Sequence, residues 1–85
     1  MRIQLEPHTL QRAIERGATE SEILETLEGG VNIVAKKGRL AKAKAFTFNT
    51  ERNGKYYDEK KLEVYYLIEN GIIITITVYV FYGKF

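Results

Sequence analysis

The sequence predicts an α+β fold: two N-terminal helices packed on one face of an antiparallel sheet of about four strands. Three observations predict it. Two short segments with apolar residues at helical spacing occupy the first thirty positions. Four β-rich runs follow, separated by turn signals rather than by crossover helices, so adjacent strands pair antiparallel. All ten aromatic residues lie at or after Phe46, which divides the chain into two architectural parts. At 85 residues neither part can bury a core alone, so the chain is one domain, 1–85.

Pro7 opens the first helix, because a helix's first turn has no use for the missing N–H. Leu10, Ala13, Ile14 and Gly17 fall on one side, and His8, Gln11, Arg12, Glu15 and Arg16 on the other. Gly17 ends the helix as a C-cap glycine. Thr19-Glu20-Ser21-Glu22 has capping-box form, with a hydroxyl at the cap and a glutamate three residues on. Ile23, Leu24 and Leu27 supply the stripe of the second helix, and Gly29-Gly30 stops it. Helices shorter than about 12 residues are not stable alone in water, so both must pack on the sheet.

The strands are expected at Val31–Lys36, Leu40–Asn49, Leu62–Ile68 and Ile72–Val80, with turns at Lys37-Gly38, Asn53-Gly54 and Asn70-Gly71. Eight of the nine residues from Ile72 to Val80 are β-branched. A three-residue loop, Glu69-Asn70-Gly71, pairs Ile68 with Ile72 and sets Leu62, Val64, Tyr66 and Ile68 beside Ile72, Ile74, Ile76 and Val78 as the face for the helices. The opposite face then carries Lys61, Glu63, Tyr65, Thr75, Thr77 and Tyr79, with Ile73 and Phe81. That face is a solvated surface, a dimer surface or a binding floor.

The net charge is +2, unevenly distributed. Residues 36–61 hold nine basic and three acidic residues, whereas residues 1–35 hold three basic and six acidic. The basic middle either steers a polyanion or protects strand edges from pairing. The absence of cysteine and the single histidine exclude disulfides, thiolate chemistry and multi-histidine metal sites, and no cofactor is expected. P-loop, Rossmann and paired-carboxylate motifs are absent. No signal-peptide pattern is present, no apolar run is long enough for a membrane helix, and the expected location is the cytoplasm.

His8, Arg12 and Arg16 recur at i, i+4 and i+8, which aligns an imidazole with two guanidinium groups along one helix flank. A neutral imidazole is a general base, and fixed positive charge stabilises a phosphodiester transition state. The same spacing also suits ordinary solvent-side residues. Lys42 and Lys44 alternate with alanines and present two cations on one strand face, for phosphate contact or edge protection. Arg39 adds to this group. Tyr56 and Tyr57, beside Arg52 and Lys55, have the composition of a base-stacking platform, although tyrosines are also ordinary sheet residues.

The pattern His8-xxx-Arg12-xxx-Arg16-Gly17, followed by a second capped helix and strands ending in Ile74-Thr75-Ile76-Thr77-Val78-Tyr79, resembles a family of small prokaryotic domains of unknown function grouped with RelE-like toxins. The resemblance implies a curved sheet with the helices on one side, and either a toxin-type, metal-independent endoribonuclease or a non-catalytic nucleic-acid- or protein-binding domain. A homodimeric accessory protein of the same fold is a further alternative. On the ribonuclease reading His8 is base or acid, Arg12 and Arg16 stabilise phosphate charge, and Tyr79 orients or stacks. Arg39, Lys42, Lys44, Tyr56, Tyr57 and Thr77 then contact nucleic acid. The implied partners are RNA, an antitoxin-like protein or a second copy of the chain.

Overall fold

The computed structural model describes residues 2–85. The elements run β1 (Arg2–Gln4), α1 (Pro7–Arg16), α2 (Glu20–Gly29), β2 (Val31–Ile33), β3 (Leu40–Arg52), β4 (Lys55–Glu69) and β5 (Ile72–Gly83). The sheet order is β1-β5-β4-β3-β2. This overturns the expected four-stranded antiparallel sheet behind two N-terminal helices. A strand precedes the helices, and the sheet has five strands. It is also mixed, because β1 pairs parallel to β5 through Arg2↔Ile72 to Gln4↔Ile74. The chain reaches that position because α1 and α2 form a crossover that returns it to the far edge of the sheet at β2, after which the long strands build back toward β1.

Both helices end and begin where their local chemistry dictates. Thr19 accepts from the Glu22 amide at 3.1 Å while the Glu22 carboxylate accepts from the Thr19 amide at 2.9 Å, a complete capping box. Gly17 turns left-handed at φ 88° and its amide donates to Ala13 O. α1 packs on β5 and α2 on β4 and β3. Ala13, Ala18, Ile23 and Leu27 meet Leu62, Val64, Tyr66, Ile73 and Val78 in one core. Each fully buried aliphatic side chain there contributes about 1.5–3 kcal/mol before chain entropy. Ile14, expected on the inner face of α1, is 80 % exposed, and the buried α1 positions are Thr9 and Ala13. The helix is rotated relative to the apolar count because small side chains at 9 and 13 let its backbone lie close to β5.

The β4–β5 register also differs from expectation. The loop has two residues: Glu69 pairs with Ile72 and Ile68 with Ile73. Asn70 (φ 51°) and Gly71 (φ 74°) are both left-handed, as a type I′ turn requires. A bulge between Tyr65 and Tyr66 then shifts the pairing, so Val64 faces Val78 and Leu62 faces Val80. The consequence is a change of face along β5. Ile73 and Thr75 near the turn, and Val78 beyond the bulge, are the buried positions. The expected single row Ile72, Ile74, Ile76, Val78 is thus split between the two faces.

Three strands hold the C-terminal end of α1. The Lys60 ammonium donates to Gly17 O at 2.8 Å and pairs with Glu22 at 2.8 Å. Arg52 donates to Glu15 O at 3.0 Å, and the Tyr82 hydroxyl donates to Arg16 O at 2.6 Å. Two cations at a helix C-terminus complement its dipole, and all three donors satisfy carbonyls that the helix itself leaves open. Lys60, counted in the basic middle of the sequence, is therefore buried and committed to the fold.

Candidate nucleic-acid interface

The sheet face turned away from the helices is set by strand alternation. Ala41 pairs with Tyr65 and Tyr65 with Thr77, and Glu63 pairs with Tyr79, so these side chains share that face. The segment Val34–Arg39 between β2 and β3 folds over it. The Arg39 amide, which donates to Lys36 O at 3.0 Å, and a left-handed Gly38 (φ 83°) make the bend. Small side chains at Ala41 and Ala43 leave room beneath the segment. The result is a cleft of about 430 Å³, walled by Val34, Ala35, Lys36 and Arg39 and floored by Tyr65, Thr77 and Tyr79. That volume is within the range of small-ligand sites and suits a group of nucleoside size.

Arg16 joins the cleft from the other layer. β1 covers the outer edge of β5 only at Ile72–Ile74. Farther along, the Val78 carbonyl is free to accept from the Arg16 guanidinium at 2.7 Å. The guanidinium carbon then lies 4.8 Å from the centroid of the Tyr79 ring. A helix-layer residue thereby passes round the sheet edge onto the opposite face. Tyr65 meets Tyr79 edge-on at 5.7 Å, and Tyr79 still keeps 43 % of its surface exposed.

The charge around the cleft is one-sided. Among the described residues Lys36 and Arg39 have no ion-pair partner, and no carboxylate lines the cleft. Across the same face, Glu63 accepts from the Tyr65 hydroxyl at 3.1 Å and pairs with Lys61 at 3.5 Å. Burial, and then the hydrogen bond to that carboxylate, raise the Tyr65 pKa, so its phenol stays a neutral donor in the physiological range.

The sequence-expected residues divide into two groups. Arg39, Thr77 and Tyr79 line the cleft, and Arg16 stacks on the Tyr79 ring beside it. His8 is exposed in the first turn of α1, about 12 Å along the helix from Arg16 at 1.5 Å rise per residue. Arg12 is paired with Glu15 at 2.8 Å. Lys42 and Lys44 pair with Val64 and Leu62, which puts both on the helix side of the sheet. There Lys44 shares a shallow depression with Glu25 and Glu28 of α2. Tyr57 packs 5.5 Å from Tyr82, and Tyr56 bonds Asn49 at 3.2 Å. Eight residues of β4 separate Tyr57 from Tyr65, about 27 Å of strand.

Sequence reasoning missed Lys36 and Tyr65 as site residues. Tyr65 was legible as an open-face residue, whereas Lys36 required the fold of the Val34–Arg39 segment. Among the described residues no cluster of three or more metal-ligating side chains occurs, and no helix is long and apolar enough to cross a membrane. No protein-family model, no curated protein and no solved structure matches this chain, so the RelE-like resemblance has no support from relatives.

Proposed function

We propose that this chain binds single-stranded RNA, with one base held in the cleft on Tyr79 and the flanking phosphates on Arg16, Lys36 and Arg39. The observation that carries the reading is the Arg16 guanidinium over Tyr79, on the same face as two cations without partners. A half-exposed aromatic ring beside fixed positive charge is the arrangement that stacks an unpaired base and neutralises its backbone. A duplex keeps its bases inside the stack and offers nothing to Tyr79. The Thr77 hydroxyl in the floor adds a hydrogen-bonding group for a ribose 2′-hydroxyl, while the Tyr65 hydroxyl is already donated to Glu63. His8 has no part in this reading, because it lies two helical turns from Arg16.

The test is fluorescence anisotropy with a labelled 12-nucleotide single-stranded RNA. Three phosphate contacts give a log–log salt slope of about −2, a loss of about 20-fold in affinity between 50 and 200 mM salt. Tyr79→Ala weakens binding by about 5- to 150-fold, the range for one lost base stack. Arg39→Ala weakens it too and flattens the salt slope by about 0.7, one single-strand phosphate contact. Lys44→Ala, on the other face, leaves it within about twofold. Absence of binding at 50 mM salt, or equal sensitivity to Lys44→Ala and Arg39→Ala, refutes the reading. In the presence of a chelator the RNA is expected to stay full length. Cleavage abolished by His8→Ala would replace the binding function with a nuclease.

A further inference from the structure

A second concavity lies on the helix side of the sheet, at the end that carries the Asn70-Gly71 turn. Its floor is Leu40, Tyr66, Ile68 and Ile73, and Arg39 and Lys42 line it as well, around a volume of about 700 Å³. The helices leave this end open. α1 is clasped at Lys60 and Tyr82, toward the other end of β4 and β5, and α2 stops at Gly29. Leu40 and Ile68 accordingly remain 46 % and 45 % exposed although they neighbour the core residues Tyr66 and Ile73. Contiguous exposed apolar surface of this kind marks an interaction site more often than a scattered surface residue does.

The charge on the groove selects among occupants. Both ionisable side chains on its lining that carry charge at neutral pH are cations, and no carboxylate is among them. Neither Arg39 nor Lys42 has an ion-pair partner among the described residues. An apolar floor beneath two free cations complements a segment with apolar residues on one side and carboxylates on the other. Nucleic acid fits poorly here, because the floor is aliphatic apart from Tyr66, which is 5 % exposed and offers no ring to stack on.

We infer that this groove docks a short, acidic, amphipathic peptide segment of a partner protein, its apolar side chains on Leu40 and Ile68 and its carboxylates on Lys42 and Arg39. Val34, Ala35 and Arg39 border both hollows, whereas Leu40, Lys42 and Ile68 lie on the face opposite Tyr79, and these three separate the inference from the RNA reading.

The experiment selects 12-residue peptides from a displayed random library on the immobilised full chain, then measures synthetic copies by anisotropy. Enriched sequences are expected to interleave two or more Asp or Glu with apolar residues. Their affinity is expected to fall at least tenfold for Leu40→Ser and for Ile68→Ser, and several-fold for Lys42→Gln, with circular dichroism showing each variant folded. Because both apolar positions are already half-exposed, the fold tolerates them. RNA affinity is expected to stay unchanged in Ile68→Ser. No enrichment, enrichment of basic or purely apolar sequences, or peptides that bind Ile68→Ser as tightly as the parent each overturns the inference. A mass that rises with concentration and is abolished by Ile68→Ser gives the groove to a second copy and overturns it as well.

Discussion

Gly17→Ala probes the junction on which both the fold and the proposed interface depend. Gly17 sits at φ 88°, where an L side chain costs about 1–2 kcal/mol. An added Cβ would also collide with the Tyr82 hydroxyl and lie 2.7 Å from an Arg52 guanidinium nitrogen. Both groups are engaged on α1 carbonyls, so relief of the collision breaks one or both hydrogen bonds, each worth about 1 kcal/mol. The total is about 3 kcal/mol, or about 12–24 °C in Tm for a domain of this size. Gly38→Ala is the matched control. Its φ is 83° and its added Cβ meets nothing within 4 Å, so it incurs the backbone strain alone, about 1–2 kcal/mol. Urea denaturation followed by circular dichroism compares the two. Tyr82→Phe, which removes the obstructing oxygen, should shrink the excess cost of Gly17→Ala. If Gly17→Ala costs no more than Gly38→Ala, the three-strand clasp on α1 is not an energetic feature of the fold.

Thr9→Val should leave stability unchanged or raise it by up to about 1 kcal/mol, because the buried Thr9 hydroxyl has no hydrogen-bond partner; chemical denaturation measures it. Lys60→Met should cost about 2–3 kcal/mol in the same assay, since it leaves Gly17 O open and the Glu22 carboxylate facing an apolar neighbour. Burial raises the Tyr82 pKa against the opposing pull of Arg52. A raised folded-state pKa means the unfolded chain loses this proton first. The contribution of Tyr82 is therefore fully present below about pH 10 and is lost as pH rises through the folded value. Tyr82→Phe should flatten the alkaline limb of a stability-against-pH curve, and an unchanged limb would assign it to other groups.

Local chemistry was legible where it is self-contained. The Thr19–Glu22 box, the Gly17 cap and the Asn53-Gly54 turn each carry their reason within four residues, and all three form, whereas the turn at Asn70-Gly71 forms with two loop residues in place of the expected three. β1 was not legible. Three residues with one half-buried side chain have no pattern of their own, and their partners lie seventy positions away. The β5 register failed for a related reason. A run of β-branched residues looks alike on both faces, so only the bulge beside Tyr65, a tertiary feature, tells Ile73 from Ile74. At the site, alternation correctly placed Tyr65, Thr77 and Tyr79 together. It could not say which face of β3 the helices would cover, so Lys42 and Lys44, read for phosphate contact or edge protection, lie on the helix side of the sheet, away from Tyr79.

Arg16 closes the clasped turn of α1 through its carbonyl and reaches Tyr79 through its side chain. One residue thus belongs to the scaffold by its backbone and to the interface by its tip. On the proposed RNA reading, positions away from the bound strand, Arg52 on β3 above all, should consequently surface in a genetic screen for weakened binding. The footprint drawn from such a screen would extend well past the surface that is actually occupied.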